Sequence, residues 1–315
     1  MEYKKHFSKI GLFLFASSLF ICVEQLLAAT IYRQIPGSLQ HPSLTYLLSM
    51  LPVYVIIFPI ALWLFKRLSA PMPVMKKKIS AGKFVLAFLI CYAMTYICNL
   101  AARFLCAIMG MSLYNNMSDL TNYIHPAVLF FLTVLCAPIM EELLFRKALI
   151  SHTIQYGEGI SILLSGFTFG LFQDRLDRFA TAFVLGIFLG FLYTKTGNIT
   201  YTIILHICFD FFDTFLSAFI LNTYTDLRYT ASTDFITLIT KHTSQMLPVF
   251  IYSFFILVML ISGSILFVVN RKKLKTEPGI IRIEKEKRFS IIILNAGMIL
   301  YITFRLILII LLSFR

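Results

Sequence analysis

The chain has 315 residues, 59% of them hydrophobic, with a formal net charge of +13 and a mean hydropathy of +0.84. Apolar residues arrive in blocks about as long as a bilayer is thick, which excludes a soluble globular core and makes this an integral membrane protein. The lysines and arginines lie between those blocks, as in membrane-flanking loops, and this excludes nucleic acid as the partner.

The expected spans, in chain order, begin with Lys9 to Tyr32, Tyr46 to Phe65, Phe84 to Met109 and Pro126 to Ile150. A shorter segment from Ile160 to Phe172 follows, then Phe179 to Tyr193, Ile199 to Leu221, Leu247 to Val269 and Ser290 to Leu312. A full span needs about 20 residues, so the segment from Ile160 is the least secure of these. The predicted fold class is all-α, a polytopic transmembrane helix bundle of about eight or nine spans, with no separate soluble domain and no internal repeat. Three parts suggest themselves: N-terminal helices over 1–124, a motif-bearing core over 125–221, and an external loop with two C-terminal helices over 222–315. The first block begins after Lys4, Lys5 and Lys9 and ends near Ala28-Ala29-Thr30, a weak cleavage site, so an uncleaved first span is expected.

Charge decides orientation. Lys66, Arg67, Lys76, Lys77, Lys78 and Lys83 follow the second span, and Arg271, Lys272, Lys273, Lys275, Arg282, Lys285, Lys287 and Arg288 follow the eighth. With the N-terminal lysines these put the N-terminus in the cytoplasm of a multi-pass cell-membrane protein. The segment Asn222 to Ser244, polar and of mixed charge, reads as an external loop. Glu24 and Arg103 are expected to pair between helices, and Arg305 to snorkel to the outer surface. Gly186 and Gly190 form a small-xxx-small pair suited to helix packing. The six cysteines fall inside apolar stretches without paired spacing, as small buried hydrophobes do.

Two constellations carry chemistry. In Ala137-Pro138-Ile139-Met140-Glu141-Glu142-Leu143-Leu144-Phe145-Arg146-Lys147, the residues Glu142 and Arg146 are four apart and share a helical face, a pairing that neutralises both. Glu141 points about 100° away with no local cation. An ionisable group inside the bilayer is costly and usually serves a pathway or a reaction, so Glu141 is the chemical candidate. In His206-Ile207-Cys208-Phe209-Asp210, a second i, i+4 pair puts Asp210 where it can fix the tautomer of His206 and leave the other ring nitrogen for a substrate. Glu141, His206 and Asp210 together could hold a divalent ion such as zinc, although no cofactor is required.

These residues, with Phe169-Gly170 and Thr196-Gly197-Asn198 between them, resemble the CPBP family of CAAX-protease and bacteriocin-processing membrane endopeptidases, also called Abi. The resemblance spans roughly Ala127 to Phe215. It implies that Glu141 activates a water for attack on a peptide bond and that His206 with Asp210 stabilises the oxyanion. It further implies a helping histidine in a Phe-x-x-x-His motif. Here that motif reads Phe169-Gly170-Leu171-Phe172-Gln173, with glutamine in the histidine position. Glutamine can hold a water but cannot take a proton or bind zinc well. The leading expectation is a membrane-embedded endopeptidase acting on a peptide precursor or membrane-anchored protein, with Gln173 helping to hold the water. The alternative, carried by Gln173, is a catalytically impaired member acting in bacteriocin immunity or as a regulatory partner-binding protein. A transporter, the third reading, is disfavoured by the lack of repeats.

Overall fold

The structure is a computed structural model that describes residues 2–37, 41–68, 71–110, 116–222, 224 and 243–313. Its helices are α1 (Glu2–Gln34), α2 (Pro42–Phe65), α3 (Ala81–Ile108), α4 (Asn116–Tyr123), α5 (Pro126–Tyr156), α6 (Glu158–Leu171) and α7 (Leu176–Thr196). They continue with α8 (Ile199–Asn222), α9 (Thr243–Lys273), α10 (Lys285–Ile292) and α11 (Ala296–Ser313). The described residues contain seven helices long and apolar enough to cross a membrane, or eight if α10 and α11 make one span. That pair is bent by 65°, so the last expected span is broken near Asn295. Most of the expected external loop from Asn222 lies outside the described residues.

Helix α6 is the short segment of the sequence reading. Its 14 residues reach about 21 Å at 1.5 Å per residue, less than the hydrocarbon core. It lies against α7, where Gly186 makes the close approach: a Cβ there would sit 2.8 Å from Gly166 Cα. Gly190, one turn on, has ordinary room, 3.5 Å to Ile150 Cδ1. The turn Thr196-Gly197-Asn198 reverses the chain into α8. Gly197 is left-handed at φ 58° and Asn198 Oδ1 accepts from the Thr200 amide at 3.1 Å, capping α8.

Helices α2 and α5 each contain wide π turns, Val53–Ile57 and Phe130–Cys136, that end just before Pro59 and Pro138. Proline lacks the N–H that the ladder expects and its ring crowds the carbonyl four residues back; opening the preceding turn relieves both. Two further π segments, Glu142–Ile150 in α5 and Asp210–Leu216 in α8, carry candidate site residues.

One end of the bundle is knitted by its loops. The Met72 amide donates to Ser151 O, Lys77 to Thr196 O, Ile281 to Gln155 O and Glu158 to Glu277 O, at 2.7–3.1 Å. His6 Nε2 meets His152 O at 3.0 Å, which brings the start of α1 to the same end. The basic clusters of the sequence therefore converge on one face. At the other end, the His125 amide donates to Ser43 Oγ at 2.9 Å.

Two expected roles for intramembrane charges are not realised. Glu24 makes no ion pair with Arg103; its Oε2 is buried without a hydrogen-bond partner among the described residues. Arg305 does not snorkel. It is 3% exposed and turns inward onto the end of α6. Apolar surroundings on both sides of α11 made the outward path look open in the sequence, but the free carbonyls at the α6 terminus are a nearer set of acceptors.

Candidate functional site

The site forms where α5, α6 and α8 meet at the middle of the bundle. Glu142 and Arg146, one turn apart on α5, are fully buried, with Glu142 Oε1 2.9 Å from Arg146 Nη1. None of the three guanidinium nitrogens makes a well-directed hydrogen bond. The group instead lies over the Phe169 ring, 4.4 Å from its centroid. A cation stacked on an aromatic face in a dry interior gains charge–quadrupole attraction that replaces part of its lost hydration.

Glu142 has a second partner. His206 Nδ1 lies 2.9 Å from the same Oε1, so Nδ1–H donates to Glu142 when that carboxylate is ionised. The sequence reading gave the tautomer-fixing role to Asp210. The structure places Asp210 Oδ2 3.7 Å from Nε2, the opposite side of the ring, and beyond hydrogen-bond range. Glu141 Oε2 approaches the same Nε2 at 3.8 Å. The ring edge of His206 packs on Phe169 with centroids 5.7 Å apart. Phe169 therefore touches both the imidazole and the guanidinium, a role its motif hinted at but helical spacing could not assign.

Exposure separates the groups. Side chains of Glu142 and Arg146 are 0% exposed and His206 3%, whereas Glu141 is 15% and Asp210 19% exposed. Glu141, Asp210 and the Nε2 edge of His206 thus share the one accessible side of the cluster, and the Glu142–Arg146 pair lies behind it. A water 2.8 Å from each of two atoms 3.8 Å apart is ordinary hydrogen-bond geometry, so this side is dimensioned to hold one.

Gln173 sits just past the end of α6, half-buried, its amide donating to Gly170 O at 3.1 Å. The end of α6 reaches the level of the site. Phe169 packs at a tilt against Phe145 with centroids 5.3 Å apart, and Phe172 meets the same ring edge-on at 5.4 Å. No hydrogen bond joins the Gln173 side chain to Glu141, His206 or Asp210 among the described residues. Arg305 holds this turn in place: Nε donates to Leu171 O at 2.7 Å, and Nη2 donates to Phe172 O and, at 2.9 Å, to Asp174 Oδ1. Tyr301 OH donates to Thr168 O at 2.7 Å one turn earlier. Ser165 Oγ donates to Phe145 O at 2.8 Å, tying α6 to the π segment of α5. Cations at a helix C-terminus satisfy carbonyls that the helix itself cannot.

Two residues near the site escaped the sequence reading. Tyr54, in the π turn of α2, lies within electrostatic reach of Glu141 and Asp210. Arg178, near the start of α7, lies within electrostatic reach of Asp210 and of Asp213. A tyrosine in an apolar helix and an arginine at a helix start are both commonplace, so neither carried a signal. Among the described residues no three His, Cys, Asp or Glu side chains are grouped to hold a metal ion. The chemistry below uses only the chain's own groups.

Residues 123–212 match the family model described as Type II CAAX prenyl endopeptidase Rce1-like. The match covers under a third of the chain and contains Glu141, Glu142, Arg146, Gln173, His206 and Asp210, the segment over which the motifs resemble the CPBP family. It supports a multi-pass membrane protein of the endopeptidase type. No curated protein and no solved structure matches the chain.

Proposed function

We propose that this protein is a membrane-embedded endopeptidase in which Glu141 is the general base. The observation that carries the reading is the ring of His206, tied through Nδ1 to the buried Glu142 and presenting Nε2 beside Glu141 on the accessible side. The Glu141 carboxylate takes a proton from a water held between it and Nε2, and the hydroxide forms a bond to the scissile carbonyl carbon. The carbonyl π electrons move onto oxygen, and Nε2–H of the imidazolium donates to that oxyanion. Collapse of the tetrahedral centre breaks the C–N bond, and Glu141 returns the proton to the leaving amine. Asp210, 3.7 Å from Nε2, cannot donate when ionised and acts by charge on the imidazolium. Glu142 and Arg146 position the ring.

The substrate class is a peptide precursor or a membrane-anchored protein, cut within or beside the cell membrane, with the N-terminus of the enzyme in the cytoplasm. Convergence of the basic loops on one end supports that orientation. Cofactor-free chemistry is the corresponding proposal, checked by whether chelation with EDTA leaves the rate unchanged. A second reading rests on Gln173: without a histidine there, the same cavity serves as a docking site for a partner, as in bacteriocin immunity or regulation. Purified protein in nanodiscs, incubated with membrane-anchored leader peptides and read by mass spectrometry, separates the two. Defined products lost in Glu141→Gln support the enzyme. Photo-crosslinked peptide with no product selects the docking role.

A further inference from the structure

A cavity of about 540 Å³ opens at the knitted end of the bundle, between the start of α6 and the segment leading into α10. Its wall is formed by two loops brought together by the Gly157–Pro278 bridge, with Gly157 at φ 118°, a conformation that favours glycine. Ile160 contributes an apolar floor, and Arg282, Lys285 and Arg288 line the rim. Two acids also line it: Glu284 pairs with Lys287 at 2.7 Å, and Glu277 lies 3.9 Å from Lys195, which Glu158 holds at 2.5 Å. Arg282 and Lys285 are exposed and make no ion pair among the described residues, and Arg288 uses only Nε, donating to Ile283 O at 3.1 Å. With three cations against two acids, one of them held by Lys287, the lining carries an excess of positive charge.

Its setting selects among anions. The 65° bend between α10 and α11 turns α10 away from the spanning direction, as an interfacial helix lies. Phe289 on α10 is 62% exposed and Ile280 beside the cavity 77% exposed. Cations at the rim of a cavity with an apolar floor, and exposed apolar side chains on the adjoining segment, match a phosphate attached to acyl chains better than a free phosphate.

We infer that the cavity bounded by Arg282, Lys285 and Arg288 is a binding site for the headgroup of an anionic phospholipid. Juxtamembrane lysines and arginines attract anionic lipid in general; this site differs in having a built cavity on one helix junction. It stands independently of the protease reading, since lipid retention needs no cleavage.

The test is native mass spectrometry of the full-length protein released from micelles containing phosphatidylglycerol or phosphatidylcholine. The double variant Arg282→Gln/Lys285→Gln is compared with Lys76→Gln/Lys77→Gln, which removes the same charge from another loop at the same end. The wild type and the Lys76/Lys77 variant should retain phosphatidylglycerol over phosphatidylcholine. The Arg282/Lys285 variant should lose about tenfold or more of that preference. Both substituted side chains are exposed, so folding is not at stake; the single reversal Lys285→Glu gives a second reading in the same direction. Equal loss in both double variants, or no preference in the wild type, would overturn the site. Full displacement of phosphatidylglycerol by inorganic phosphate would overturn its assignment to lipid.

Discussion

Glu142 Oε1 serves two partners at once, Arg146 Nη1 and His206 Nδ1, each at 2.9 Å and all with their charges out of water. Removing one member of such a buried set leaves the others uncompensated. Glu142→Gln should therefore lower stability by about 3–5 kcal/mol, measured as thermal unfolding in micelles, and should also release the imidazole. Glu141→Gln should behave oppositely. Glu141 is partly open and has no ion-pair partner closer than 3.8 Å among the described residues, so its amide should fold as the wild type does while cleavage falls by about 10²–10⁴. If the two variants unfold alike, the division between a positioning and a reacting glutamate is wrong. The i, i+4 spacing made the Glu142–Arg146 pairing legible because it is a property of one helix. The His206–Glu142 bond joins residues 64 apart, and only the packing of α5 on α8 creates it. Spacing along α8 alone pointed to Asp210 instead.

At the scale of elements, the short helix α6 is the piece on which the site depends. Its shortness was readable from the apolar run Ile160 to Phe172; what holds its end was not. Arg305 is 131 residues beyond Asp174 in sequence and outside the family-matched segment, and nothing in the local pattern around it names a partner. Arg305→Leu should leave the Leu171 and Phe172 carbonyls without their donors, at about 1–3 kcal/mol for each buried acceptor left unpaired. Hydrogen–deuterium exchange should then rise over 169–174 and stay unchanged in α3. Unaltered exchange there would contradict the clamp. Gly186→Leu should part α6 from α7, since even a Cβ comes within 2.8 Å of Gly166 Cα, and should cost more stability than Gly190→Ala, where the nearest atom is 3.5 Å away. The π turns before Pro59 and Pro138 were also beyond a pattern based on a 3.6-residue period, because a wide turn changes register without changing composition.

At the scale of the molecule, hydropathy and loop charge were enough for a multi-pass helical bundle, and they overcounted only where a run was too short or was bent. The convergence of basic loops gives a sidedness that can be measured. Ile280→Cys should react with an impermeant maleimide only from the cytoplasmic side and Gly37→Cys only from the outside; the reverse pattern would invert the topology. The account turns most on Glu141 as the base in a site that has glutamine at 173. The direct measurement is single-turnover cleavage of a membrane-anchored leader peptide in nanodiscs by wild type, Glu141→Gln and Gln173→His. The account predicts cleavage by wild type, its loss in Glu141→Gln, and an equal or higher rate in Gln173→His. Cleavage that survives in Glu141→Gln, or a wild type inert beside an active Gln173→His, would contradict it.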